Sequence, residues 1–127
     1  MEFQKLYQKA LEVTGNRKLS SYAEAGSVGS ALLTAEGDVF LGVCIDTCCS
    51  MGFCAEHAAA AAMITSGQNR VKKMVAVGED GTILPPCGRC REFIRQLHPD
   101  NLKTQVLLEE NRVVFLEDLL PFCWEQD

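Results

Sequence analysis

Two short stretches constrain this chain more than any other part of it: Cys54-Ala55-Glu56 and, further on, Pro86-Cys87-Gly88-Arg89-Cys90. Together they offer three thiols and one carboxyl, so a fold that uses them as a unit must bring two distant segments to one point. Structural zinc sites are closed by four protein ligands, whereas three protein ligands leave a fourth position for a water whose pKa the metal lowers to about 7. Three cysteines with a carboxylate beside them are the arrangement of a hydrolase that uses Zn²⁺.

The local spacing fits that geometry. Pro85-Pro86 precedes a Cys-x-x-Cys pair whose following residues, 91–97, read as helix, so Cys87 and Cys90 lie one turn apart and face the same way. Cys54 opens a second, Ala-rich helix with Gly67 at a plausible C′ position. All three thiols then sit at or near helix N-termini, where the partial positive charge favours the thiolate that binds metal. Glu56, two residues past the first ligand, reaches the open position without ligating.

Periodicity supplies the frame around these segments. Phe3, Leu6, Tyr7, Ala10 and Leu11 recur at helical spacing and predict an amphipathic helix ending near Gly15-Asn16. Residues 27–35 and 38–46 are β-rich runs joined by a hairpin at Glu36-Gly37. Residues 73–79 read as a covered strand, and residues 104–108 and 112–115 as the last strands, with Glu117-Asp118 starting a short final helix. A hairpin followed by strand–helix alternation implies a single α/β domain over 1–127: a three-layer α/β/α sandwich with a mixed, roughly five-stranded sheet.

Composition narrows the partners. With 127 residues, 47% of them hydrophobic, the chain can bury one core. A net charge of -5 lacks the basic stripe of a phosphate-backbone binder, so a free small molecule is expected and nucleic acid is not. No stretch approaches the roughly 20 apolar residues that span a bilayer, and the N-terminus lacks a signal-peptide core, so a cytoplasmic protein with no membrane partner is expected. In a reducing compartment the remaining cysteines, Cys44, Cys48, Cys49 and Cys123, are free thiols, and Cys44 reads as a small buried one. Cys48 and Cys49 are adjacent and point in different directions, which argues against their sharing an ion.

A Cys-Ala-Glu helix start combined with a Pro-Cys-x-x-Cys helix start resembles the zinc-dependent cytidine deaminase superfamily. Within it the chain is most similar to the small three-cysteine group that includes free-nucleoside cytidine deaminases and blasticidin S deaminase. Weaker support comes from Ser27-Val28-Gly29-Ser30, Gly37-Asp38-Val39-Phe40-Leu41-Gly42, Leu97-His98-Pro99, and Leu119-Leu120-Pro121 with Trp124. The resemblance implies zinc held by Cys54, Cys87 and Cys90, Glu56 as the proton shuttle, and attack of water on C4 of a cytosine-containing nucleoside or analogue with loss of ammonia. It also implies a homotetramer, with substrate-binding positions at Cys44, Asp46, Ala55, Phe122 and Trp124.

The chain departs from that pattern in three places. Relatives with three cysteines often carry arginine after the glutamate, bonded to the ligand sulfurs; here His57 stands there, either as a sulfur donor or as a packing residue, with Arg89 and Arg91 as alternative donors. Where relatives hold the ribose hydroxyls with Asn-x-Glu, this chain has Cys44-Ile45-Asp46, and a thiol is a weak hydrogen-bond partner. An aromatic residue expected before the Val28-Gly29 pair is replaced by Gly26. Phe122 and Trp124 are read either as stacking groups for a flat base or as a core or interface plug. A non-catalytic zinc module and a Cys87–Cys90 thiol redox protein are the competing classes. The first leaves Glu56 without a use, and the second leaves Cys54-Ala55-Glu56 unexplained.

Overall fold

In a computed structural model that describes residues 1–125, the chain forms three helices and a mixed sheet. The helices are α1 (Phe3–Glu12), α2 (Ala55–Thr65) and α3 (Gly88–Leu97). The strands are β1 (Arg17–Ser20), β2 (Ala23–Thr34), β3 (Val39–Thr47), β4 (Val71–Gly78), β5 (Ile83–Leu84), β6 (Gln105–Glu109) and β7 (Arg112–Phe115). One edge of β2 pairs with β3. Its other edge takes β1 along its first residues and β4 along the rest, and β4 then runs parallel to β6 while all other pairs are antiparallel.

Seven strands correct the expected five. All four residues of β1 are exposed, so no apolar alternation marks it, and β5 has only two residues, too few for any period to register. The expected helix end near Gly15-Asn16 also moves back to Glu12, where the Thr14 hydroxyl donates to the Leu11 carbonyl (2.7 Å) and closes the last turn. The final helix is a 3₁₀ turn, Leu116–Leu119.

The period-2 alternation of the long strands separates two cores. Ala31 and Leu33 of β2, with Val75 and Val77 of β4, pack under Leu6 and Ala10 of α1. Leu32 and Met74 point the other way, into a cluster with Ala59, Ala60 and Met63 of α2 and Ile94 of α3. Helices thus cover both faces in three layers, and both cysteine-bearing helices lie on the same face. Burying each large side chain contributes about 1.5–3 kcal/mol, so the two clusters hold the sheet between its helices.

Behind the second cluster, Asn101 is fully buried and fully paired: its carbonyl accepts from Val71 N–H (2.9 Å) and its amide donates to the carbonyls of Ile94 (2.9 Å) and Asn69 (3.1 Å). These bonds tie the end of α3 to the start of β4. His98 is the C-cap of α3, and its Nδ1 accepts from Asp100 N–H (2.9 Å), so the same residue caps the 3₁₀ turn Pro99–Lys103.

Helix α2 lies directly against β3 where it crosses Gly42. A Cβ there would meet the backbone nitrogen of Ala59 and lie 2.7 Å from the Ala55 carbonyl oxygen. Glycine is required for contact, not for backbone freedom, and this contact seats the first turn of α2, which carries Glu56. Gly42→Ala should therefore destabilise the fold by ~1–3 kcal/mol or more, read as a lower thermal midpoint, because backbone cannot rotate away as a side chain can. An unchanged midpoint would mean that α2 is not pinned there.

Candidate metal centre and cleft

Cys54 and Cys87 occupy the same structural position, the N-cap of their helices, with extended backbone conformations (φ -71, ψ 158 and φ -68, ψ 167). Cys90 follows one turn into α3 and is fully buried. The two helix starts converge, so that Cys54 Sγ lies 3.5 Å from Cys87 Sγ and Cys87 Sγ lies 3.5 Å from Cys90 Sγ, with all three sulfurs within 4.8 Å of one another. Tetrahedral zinc with Zn–S bonds of about 2.3 Å needs sulfurs roughly 3.8 Å apart, so the donor set fits in type and in size. Among the described residues this is the only cluster of three such side chains.

The thiols are not equivalent. Burial raises the pKa of Cys54, and burial together with the Glu56 charge raises that of Cys90 strongly. Burial also opposes ionisation of Cys87, but N–H groups of Cys90 and Arg89 and the neighbouring thiols outweigh it and lower its pKa. Cys87 is the first thiolate the helix N-terminus favours. Glu56, in the first turn of α2, is only 5% exposed, and desolvation raises its pKa above the ordinary carboxylate range, offset in part by its own backbone N–H and by Cys90.

His57 places Nδ1 3.4 Å from Cys90 Sγ and stacks its ring on Phe93. Burial, followed by the Arg89 charge, lowers its pKa, which keeps the imidazole neutral at neutral pH. Arg89 itself borders an open cleft of about 360 Å³ with Cys54, Cys44, Asp46 and Phe53. Arg91 does not serve the sulfurs: its Nε donates to the Pro86 carbonyl (2.7 Å) and its Nη1 to the Leu119 carbonyl (3.1 Å), which corrects the expectation of a sulfur donor there.

Of the positions expected to meet substrate, Cys44 and Asp46 line the cleft, while Ala55 is fully buried behind it. Cys44 Sγ lies 3.2 Å from Ser27 Oγ, a partner that only the β2–β3 pairing reveals. Phe122 and Trp124 are exposed and lie outside the cleft lining; the backbone N–H of Trp124 donates to Glu92 Oε1 (3.2 Å). Phe53 was not read from the sequence. It forms a two-way bridge with Ile45 (3.0 Å each way) that makes it a cleft wall. Cys48 and Cys49 form an exposed 3₁₀ turn outside the sulfur cluster. A larger hollow of about 1070 Å³ opens between α1 and the β5–β6 region, but none of the three thiols lines it, whereas Cys54 lines the smaller cleft and joins that cleft to the sulfur cluster.

Residues 1–106 match the family described as "Cytidine and deoxycytidylate deaminase zinc-binding region". The chain belongs to the cytidine deaminase family. A cytidine deaminase of Mycobacterium tuberculosis is 31% identical over 102 residues, covering 80% of this chain and 74% of the relative. One from Halalkalibacterium halodurans is 32% identical over 98 residues, 74% of each. The crystal structure of the M. tuberculosis cytidine deaminase superposes with a TM-score of 0.83 at 26% identity, covering 99% of both chains. That of Burkholderia pseudomallei gives 0.79 at 26%, covering 98% of this chain and all of the other. The chain is accordingly a zinc-dependent deaminase, and its three-cysteine cluster fits the metal.

Purified protein should carry about one zinc per chain, since three thiolates and one open position complete a tetrahedron. Cys87→Ser and Cys90→Ser should each lose most of it in elemental analysis, and a full zinc complement in both variants would place the metal elsewhere.

Proposed function

We propose that this chain deaminates the cytosine ring of a free nucleoside or N1-substituted analogue, with Glu56 as its proton carrier. When bound, zinc supplies a Lewis acid that acidifies a water at the position the three thiolates leave open. Glu56 takes a proton from the attacking water and passes it to ring N3, then carries the proton left on the new C4 hydroxyl to the departing amine, so that the C4–N bond breaks and ammonia leaves with the uracil-type product. The observation that carries this reading is the placement of Glu56: a desolvated carboxyl in the first turn of the helix that Cys54 caps, whose burial favours holding a proton between the two transfers.

The ligand set leaves a formal charge of -1 on the centre, which calls for nearby compensation. His57, neutral, offers a hydrogen bond to Cys90 but no charge, whereas Arg89 at the cleft edge offers the charge. The acidic chain and the small cleft favour a free small molecule over nucleic acid. The reading extends to a homotetramer working in cytoplasmic pyrimidine salvage. It is supported by seven unpaired cysteines, and by Phe122 and Trp124, whose exposed rings lie outside their own chain's cleft and are free to reach a neighbour's. No helix among the described residues is long and apolar enough to cross a membrane.

Substrate preference follows from the cleft. Cys44 is paired to Ser27, leaving only Asp46 of the two as a strong acceptor for a sugar hydroxyl. Cytidine is then a mediocre substrate, and a cytosine derivative with another group on N1, blasticidin S among them, competes well.

Glu56→Gln should retain zinc and fold while lowering kcat by about 10²–10⁴, because an amide cannot accept the proton. Retained turnover in a zinc-loaded variant would remove Glu56 from the chemistry. Changing Cys44→Asn together with Asp46→Glu should raise kcat/KM for cytidine about tenfold or more at unchanged zinc content, since each unmet polar contact costs ~1–3 kcal/mol. No gain in a steady-state comparison of cytidine with its analogues would show that these positions do not hold the sugar.

A further inference from the structure

We propose that Phe93 is a positioning residue for the metal centre, acting through His57 on the sulfur of Cys90. The inference rests on zinc being held by Cys54, Cys87 and Cys90.

Phe93 lies three residues after Cys90, so both project from the same face of α3, toward α2. There its ring meets the imidazole of His57 with centroids 4.1 Å apart and planes inclined by 12°. On its other side Phe93 packs against the core cluster that contains Met63 and Ile94, so the ring has a rigid backing. The imidazole is only half-buried. Among the described residues its one hydrogen-bond partner is Cys90 Sγ, 3.4 Å from Nδ1.

A histidine ring rotates in a broad well about its terminal torsion, and one long bond to sulfur does not define its plane. The Phe93 face does. With the ring plane set, Nδ1 is held toward Cys90 Sγ, and a thiolate there selects the tautomer that carries its proton on Nδ1. A hydrogen bond donated to a metal-bound sulfur draws electron density from it and orients it. Partners of this kind typically change metal affinity 10–100-fold when removed. His57 acts on Cys90 through the direction of its ring, which makes the contact that supplies the direction part of the centre.

The test uses zinc-loaded protein and protein in which cobalt(II) replaces zinc, whose thiolate-to-metal charge-transfer band reports the electron density on sulfur. Phe93→Leu keeps apolar volume but removes the flat face. It should move that band to lower energy and speed zinc transfer to a chelator about 10-fold or more. His57→Phe, which keeps the stack and removes the donor, should produce the same band shift. The two changes together should do no more than His57→Phe alone, because they break one relay. Phe93→Tyr should restore the wild-type band. Phe93→Met serves as a second flexible replacement if Phe93→Leu does not fold.

A wild-type band in the Leu or Met variant, or fully additive effects in the double variant, would overturn the proposal. A cobalt-loaded wild-type protein with no thiolate charge-transfer band would overturn the metal assignment and this inference with it. A normal wild-type band that Phe93→Leu leaves in place would overturn this inference alone.

Discussion

Two helices begin at the same point in space, and the rest of the site follows from that convergence. Three sulfurs held within 4.8 Å of one another would repel as thiolates unless something positive stood among them. The helix N-termini supply part of it through their free N–H groups, which is why Cys87 is easier to ionise than an isolated thiol even though it is partly shielded from water. A divalent ion supplies the rest. The centre is therefore a place where backbone dipoles, thiolates and metal each require the others, and the fold is arranged to hold two helix starts in register.

That register depends on small residues. Alanines along α2 and the missing side chain at Gly42 let the helix lie directly on β3, and the second core cluster holds α3 beside it. Because β3 leads through Cys44 and Asp46 to the loop before Cys54, the strand that seats α2 also forms the cleft wall. The α1 face of the sheet carries none of the three thiols; it forms the other core and stiffens the strands from behind.

Electrostatic roles around the centre divide between groups that neighbouring sequence positions do not distinguish. Arg89 and Arg91 flank Cys90 and differ little as residues in a list. One faces the cleft beside Cys54, while the other spends its donors on the Pro86 and Leu119 carbonyls and ties the ligand-bearing segment to the C-terminal one. The second role is structural at one remove: Pro86 immediately precedes a ligand, so a bond to its carbonyl restrains the approach of Cys87.

The clustering of the three cysteines, the helix starts at Cys54 and Cys87, the first-turn place of Glu56 on α2 and the layered α/β architecture were legible in the sequence, because each depends on spacing along the chain and on residue types with few alternative uses. A Cys-x-x-Cys after two prolines and an Ala-rich run after a cysteine leave little choice of local structure. Strands β1 and β5, the Ser27–Cys44 contact, the Phe53 wall, the Phe93–His57 stack and the different fates of Arg89 and Arg91 were not legible. Each joins residues that are remote in the chain or exposed in it, so no local period records it. Which side chain faces which sulfur was decided only when α2 and α3 packed on one face of the sheet, since the direction of a side chain is set by the neighbours that exclude its other rotamers.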